Sequence, residues 1–170
     1  MSAAFKLLVV ADESPEFPAA LHYAALQAKR SSDGVVMLRV VEPPEPAEWV
    51  SVSEEIRRQS AEAAEALTQR FAAEVWAETG ITVEIVIREG ELKDEIRRLM
   101  EEDAAIRLVV LAASSGKGGP GPLVQSLAKG HGLHGHVIPV LVVPGGLSKE
   151  EIKAFADPAP PAQSPSNGPG

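Results

Sequence analysis

Apolar positions along this chain fall into two alternating patterns. From Phe5 to Ala11 every residue except Lys6 is apolar, and a short unbroken run of this kind fits a strand buried on both faces. Asp12-Glu13-Ser14-Pro15 interrupts it. Phe17, Leu21, Ala24, Ala25 and Ala28 then return at helical spacing as far as Asp33-Gly34, where glycine can close a helix. Val35 to Val41 is a second buried-strand run, ended by Glu42-Pro43-Pro44-Glu45-Pro46, which neither a helix nor a central strand can continue.

Ser51 with Glu54 three residues later reads as a capping box, and Ile56, Ala63, Leu67, Phe71 and Val75 mark one face of a long helix ending before Gly80. Ile81, Val83, Ile85 and Ile87 alternate with Thr82, Glu84, Val86 and Arg88, the pattern of a strand near a sheet edge. Leu92, Ile96, Leu99 and Met100 define a third helix, with Asp94 and Glu95 early and Arg97 and Arg98 later, as the helix dipole favours. Ile106 to Ala113 is another buried strand. It leads through Ser114-Ser115-Gly116-Lys117-Gly118-Gly119-Pro120-Gly121 into a short helical segment from about Leu123 to Lys129. Val137 to Val143 is the last strand, and Pro139, unable to donate a ladder hydrogen bond, points to an edge strand or a bulge rather than the sheet's middle.

Repeated alternation of strand and helix predicts right-handed crossovers and a single α/β domain over residues 1–148. Its expected plan is a doubly wound, mostly parallel five-stranded sheet with helices on both faces, Rossmann-like in outline. Residues 149–170, rich in Pro, Ala, Ser and Gly, have little to bury and are expected to form a disordered tail.

Composition narrows the function. Of 170 residues, 24 are acidic and 16 basic, giving a net charge of −8, which disfavours nucleic acid and anionic membranes as partners. Cysteine is absent, which removes thiolate chemistry and disulfide scaffolds and fits a reducing cytoplasm. No apolar run approaches the roughly 20 residues that span a bilayer, so a cytoplasmic location is expected.

In an open doubly wound sheet, ligands bind beyond the carboxyl ends of the strands, where the strand order reverses. Two loops meet that description. Asp12-Glu13-Ser14 offers a carboxylate for an adenine or ribose donor, and Ser114 to Gly121 offers backbone N–H groups of the kind that cradle phosphate. Capping or turning a corner is the commoner role of each. Gly116 to Gly121 matches G-x-G-x-x-G, yet it follows a late strand and contains Pro120. Gly118 after Lys117 excludes a P-loop, which requires Ser or Thr there.

The residues at three places resemble the universal stress protein family. Leu7-Leu8-Val9-Val10-Ala11-Asp12-Glu13-Ser14 is similar to the family's opening strand and V-D-G-S turn. Val36-Met37-Leu38-Arg39-Val40-Val41-Glu42-Pro43-Pro44 resembles its L-H-V-V-E-P-P strand ending, and Pro139-Val140-Leu141-Val142-Val143-Pro144 its closing P-V-L-V-V-P. The resemblance implies an adenine nucleotide alpha hydrolase-like fold with an adenine cleft, in which Asp12 and Val40 stand at the adenine side. It also implies a phosphate-binding G-x-x-G-x9-G-[S/T] after the fourth strand, where this chain has Ala112, Ser115, Gln125 and Ser126. Side chains at the glycine positions would crowd a triphosphate, and Glu13 in place of the turn glycine adds a repelling charge.

The expected function is therefore a stress-response protein acting by binding and association, without a resident cofactor and with little ATP affinity. The competing expectation is an ATP-binding member that uses Asp12, Val40, Ser115, Gly116, Gly118 and Ser126. A slow ATP hydrolysis would accompany it. No catalytic constellation is legible, and an enzyme of another adenine-nucleotide family would need one. The exposed apolar edge predicts a homodimer through Val137, Val140 and Val142. His131, His134 and His136 fall among glycines with no carboxylate or cysteine beside them and read as a solvated loop rather than a metal site. His22 reads as a packing or surface histidine. The acidic groups Glu91 to Glu95 and Glu101-Glu102-Asp103 read as helix-end or solvated charges.

Overall fold

The computed structural model describes residues 4–45, 49–133 and 137–157. Five strands, β1 (Lys6–Ala11), β2 (Gly34–Val41), β3 (Val83–Glu89), β4 (Ile106–Ala113) and β5 (Val140–Pro144), form one parallel sheet in the order β3-β2-β1-β4-β5. The chain builds outward from β1 to β3, then returns to the other side of β1 for β4 and β5. The strand order therefore reverses between β1 and β4.

Side chains of the central strands alternate between two cores, as parallel strands covered on both faces require. Leu7, Val9, Ala11, Val35 and Met37 meet α1 (Phe17–Ser31) and α2 (Val50–Thr79) on one face. Leu8, Val10, Val36 and Leu38 meet Ile96, Leu99 and Met100 of α3 (Leu92–Glu102) on the other, with Leu123, Val124 and Leu127 of α4 (Pro122–Ala128) beside them. Four alanines of α1, Ala20, Ala24, Ala25 and Ala28, are fully buried, and their small size lets the helix lie close to the sheet. Phe17 and Phe71 join α1 to α2 edge to face, with ring centroids 4.9 Å apart.

Several local expectations change. The left-handed residue that ends α1 is Ser32, at φ 59°, while Gly34 already pairs in β2. The capping box at Ser51 and Glu54 does not form. Helix α2 starts at Val50 after Trp49, with no side-chain cap, and its packed face begins at Ala64, leaving Ile56 exposed. Strand β5 begins at Val140. Val137 lies outside it and is fully exposed, and Pro139 precedes the strand, where its carbonyl accepts from Val109 N–H at 3.1 Å. A proline missing its donor is thereby accommodated at the entrance of an edge strand.

The segment expected to be a tail opens with a helix, α5 (Lys149–Ala156). Ser148 and Glu151 form a reciprocal capping box, and Ile152 and Ala156 are buried against the α1 face of the sheet. Lys149 also forms an ion pair with Glu78 of α2. The rest of the expected tail, from residue 158, lies outside the described residues. Ile152→Ala should lower unfolding free energy by roughly 2–5 kcal/mol, the range for emptying a buried aliphatic site. Phe155→Ala, on the exposed side of α5, should stay within about 0.5 kcal/mol of wild type. Equal urea midpoints for the two variants would contradict a docked α5.

Candidate functional site

The tips of β1, β2 and β4 border a cleft of about 470 Å3, within the roughly 300–1,000 Å3 of small-molecule sites. It opens where the strand order reverses, because the connections after β1 and β4 leave toward opposite faces of the sheet. Ser60, Ala63 and Ala64 of α2 wall one side; Leu92, Leu123 and Val124 wall the other.

Asp12 and Val40 both line this cleft. One oxygen of the Asp12 carboxylate accepts from the Ser14 N–H at 2.9 Å and from the Ser14 hydroxyl, so Asp12 shapes the turn after β1. Val40 is half-buried and shares its packing cluster with Leu92, Leu123 and Val124, forming an apolar wall.

The glycine-rich loop borders the cleft only in part. Ala112 and Pro120 to Val124 line the cleft, whereas Ser115, Gly116, Lys117 and Gly118 are exposed and lie outside its wall. The Gly116 N–H is already taken by the Ser114 hydroxyl at 3.2 Å. Gly119 has φ +85°, and a Cβ there would sit 2.6 Å from Gln125 Nε2, so the Gln125 amide fills the space inside the loop. Ser126 is buried in α4, also outside the cleft wall, and its hydroxyl has no hydrogen-bond partner among the described residues.

Charge within the cleft runs against polyanions. Among the described residues, Asp12, Glu13 and Glu42 line it together with one cation, Arg39, so a triphosphate would enter a site of net negative sign. Arg39 Nη2 lies 3.3 Å from Glu13 Oε1, and its Nη1 lies 3.4 Å from the Ala11 carbonyl. Sequence reading passed over Arg39 as a cleft residue, although it is the one charged position in the apolar run Val35 to Val41.

This geometry coincides with a family assignment. A family model for the universal stress protein family matches residues 4–144. The chain belongs to that family. Among solved structures, the universal stress protein UspA from Lactobacillus plantarum is 21% identical with a TM-score of 0.66, the match covering 84% of this chain and 99% of that one. A universal stress protein solved in complex with cAMP is 18% identical at TM-score 0.59, with 85% and 100% coverage. One from Archaeoglobus fulgidus in complex with dAMP is 12% identical at TM-score 0.58, with 84% and 98% coverage. At these identities the structures establish the universal stress protein fold. No curated protein matches the chain.

Away from the cleft, His131 is exposed, and His134 and His136 lie outside the described residues; no metal-ligating cluster occurs among the described ones. No helix of the described residues is long and apolar enough to cross a membrane. Glu95 is no solvated charge. It is buried on α3 with its carboxylate 2.7 Å from Arg98 and 3.8 Å from Arg88, a buried ion pair bridging α3 to β3.

His22 of α1 lies beneath α5, its Nδ1 3.0 Å from Glu78. Burial pushes its pKa below the ordinary 6.5, and the pull of Glu78 in the opposite direction does not restore it. The unfolded chain therefore takes up a proton that folded His22 resists, and stability should fall as pH drops through about 6.5. Depressed carboxylates such as Glu78 add their own loss only at lower pH, near and below the ordinary carboxylate range. His22→Gln should flatten the urea midpoint between about pH 7 and pH 5. An unchanged slope in the variant would dismiss the histidine as its source.

Proposed function

We propose that this universal stress protein acts by binding rather than turnover. Its cleft receives an adenine ligand no larger than a mononucleotide and disfavours ATP, and two copies associate through β5. The observation that carries the reading is the Gln125 amide packed against Gly119 with Ala112 in the cleft wall. At positions where the resemblance places glycines in members that bind ATP, these side chains add bulk in and beside the cleft wall, which on this reading leaves too little room for the β- and γ-phosphates. The two relatives solved with cAMP and dAMP each hold a ligand with one phosphate, which supports the mononucleotide limit.

Dimerisation rests on the sheet edge. Val142 on β5 is 39% exposed, Val140 and Leu141 are half-buried, and Val137 just ahead of the strand is fully exposed. An apolar edge strand with free backbone groups is a ready pairing surface for a second copy.

Calorimetry with ATP and magnesium, ADP and AMP tests the ligand. AMP should bind at least as tightly as ATP. The combined variant Ala112→Gly, Ser115→Gly and Gln125→Gly should gain about tenfold in ATP affinity, on the order of 1.4 kcal/mol. A wild-type preference for ATP would instead favour the ATP-binding alternative through Asp12 and the loop over residues 114–127. For the pairing, sedimentation should show a dimer at micromolar concentration. Val142→Lys should raise its dissociation constant by about tenfold or more, and a monomeric wild type would refute the interface.

A further inference from the structure

The cleft holds a cation that its surroundings leave under-used. Arg39 is the only charged residue of β2, and it falls on the same face as Val35 and Met37, opposite Ala11 in the last pair of the β1–β2 ladder, where the cleft begins. Its side chain is only 19% exposed, yet it lines the cleft. A guanidinium carries five N–H donors, and buried ones need acceptors. Here Nη1 reaches the Ala11 carbonyl at 3.4 Å and Nη2 reaches Glu13 at 3.3 Å, both longer than the usual 2.7–3.2 Å for such bonds. The buried Nε has no hydrogen-bond partner among the described residues. Glu13, the carboxylate it pairs with, is 76% exposed, so this ion pair costs little to open.

We infer that the cleft recognises its ligand's anionic group through Arg39 at the end of β2, in place of a backbone cradle after β4, with Glu13 as an intramolecular competitor for that guanidinium. The ligand class is a small molecule bearing one carboxylate or one phosphate, because the planar fork binds either group with two parallel hydrogen bonds. Glu13 then stands in for that group when the ligand is absent and swings into solvent when it arrives. The inference deepens the mononucleotide reading above and rests on it for the choice of adenine, though not for the anion. It also accounts for the loop after β4. With Ser115, Gly116 and Gly118 facing solvent and Gln125 inside the loop, that segment has ceded the anion to the opposite side of the cleft.

The test uses the full chain at fixed ionic strength, since screening would blur a charge effect. Calorimetry with AMP and adenosine, and thermal unfolding with inorganic phosphate, are run on wild type, Arg39→Gln and Glu13→Gln. Wild type should bind AMP about tenfold more tightly than adenosine. Arg39→Gln should erase that difference while leaving adenosine affinity within about twofold, and Glu13→Gln should strengthen AMP binding severalfold and enlarge the stabilisation by phosphate. An AMP-to-adenosine ratio unchanged by Arg39→Gln overturns the inference. Should Arg39→Gln fail to fold, the Glu13→Gln arm decides alone, and a phosphate response no larger than in wild type refutes the competition. If phosphate responses track Arg39 and Glu13 while neither AMP nor adenosine binds, the adenine reading fails and the anion site stands.

Discussion

Everything in this molecule is arranged around β1, which is hydrogen-bonded along both edges and covered on both faces. A parallel strand so placed has no water to satisfy its backbone, so β2 and β4 must run alongside it and its side chains must be apolar on both sides. The same constraint builds the cleft. Since β2 and β4 are sequence neighbours of neither each other nor the same helices, the chain leaves the tips of β1 and β4 toward opposite faces. The gap between those departures cannot close. Register then sets the chemistry: Ala11 pairs with Arg39, which brings the cation to the foot of the Asp12-Glu13 turn.

The sheet was largely legible in the amino-acid sequence because buried parallel strands leave so direct a trace. The runs at Phe5 to Ala11, Val35 to Val41 and Ile106 to Ala113 match β1, β2 and β4 closely. Features fixed by tertiary contact were harder to read. Ser32 rather than a glycine takes the left-handed position after α1, where it turns the Asp33 N–H back onto the Ala28 carbonyl at 2.9 Å. Helix α5 hides in a segment whose proline content begins only after it, and its signal was the Ser148 and Glu151 pair rather than overall composition. Glu95 looked like one more exposed acid until Arg88 and Arg98 converged on it from two elements.

For the cleft, side chains were easier to anticipate than backbone direction. Asp12, Val40 and Ala112 follow from strand ends and register, so their placement at the cleft was inherent in the strand assignments. The loop after β4 was different. Counting its glycines gives the number of flexible N–H groups, but an anion nest requires those groups to point at one spot. In this loop one donor turns back to Ser114 and the interior is taken by Gln125, so glycine content and anion capacity part company. That orientation depends on the Gln125 side chain from the next helix, a contact no local pattern encodes.

Helix α5 lies beyond the stretch shared with the family, which ends at residue 144. It closes over α1 and reaches α2 through Lys149 and Glu78. His22 beneath it and its own Ile152 do not line the cleft, and Phe17 of the cleft wall meets Phe71 of this region edge to face. The region under α5 is thus set apart from the cleft, whose wall instead shares Val10, Ala11, Phe17 and Leu111 with the two cores. The loop after β4 can therefore change its sequence without loss of the fold, because the apolar contacts that hold β1 in place lie in the two cores rather than in the loop.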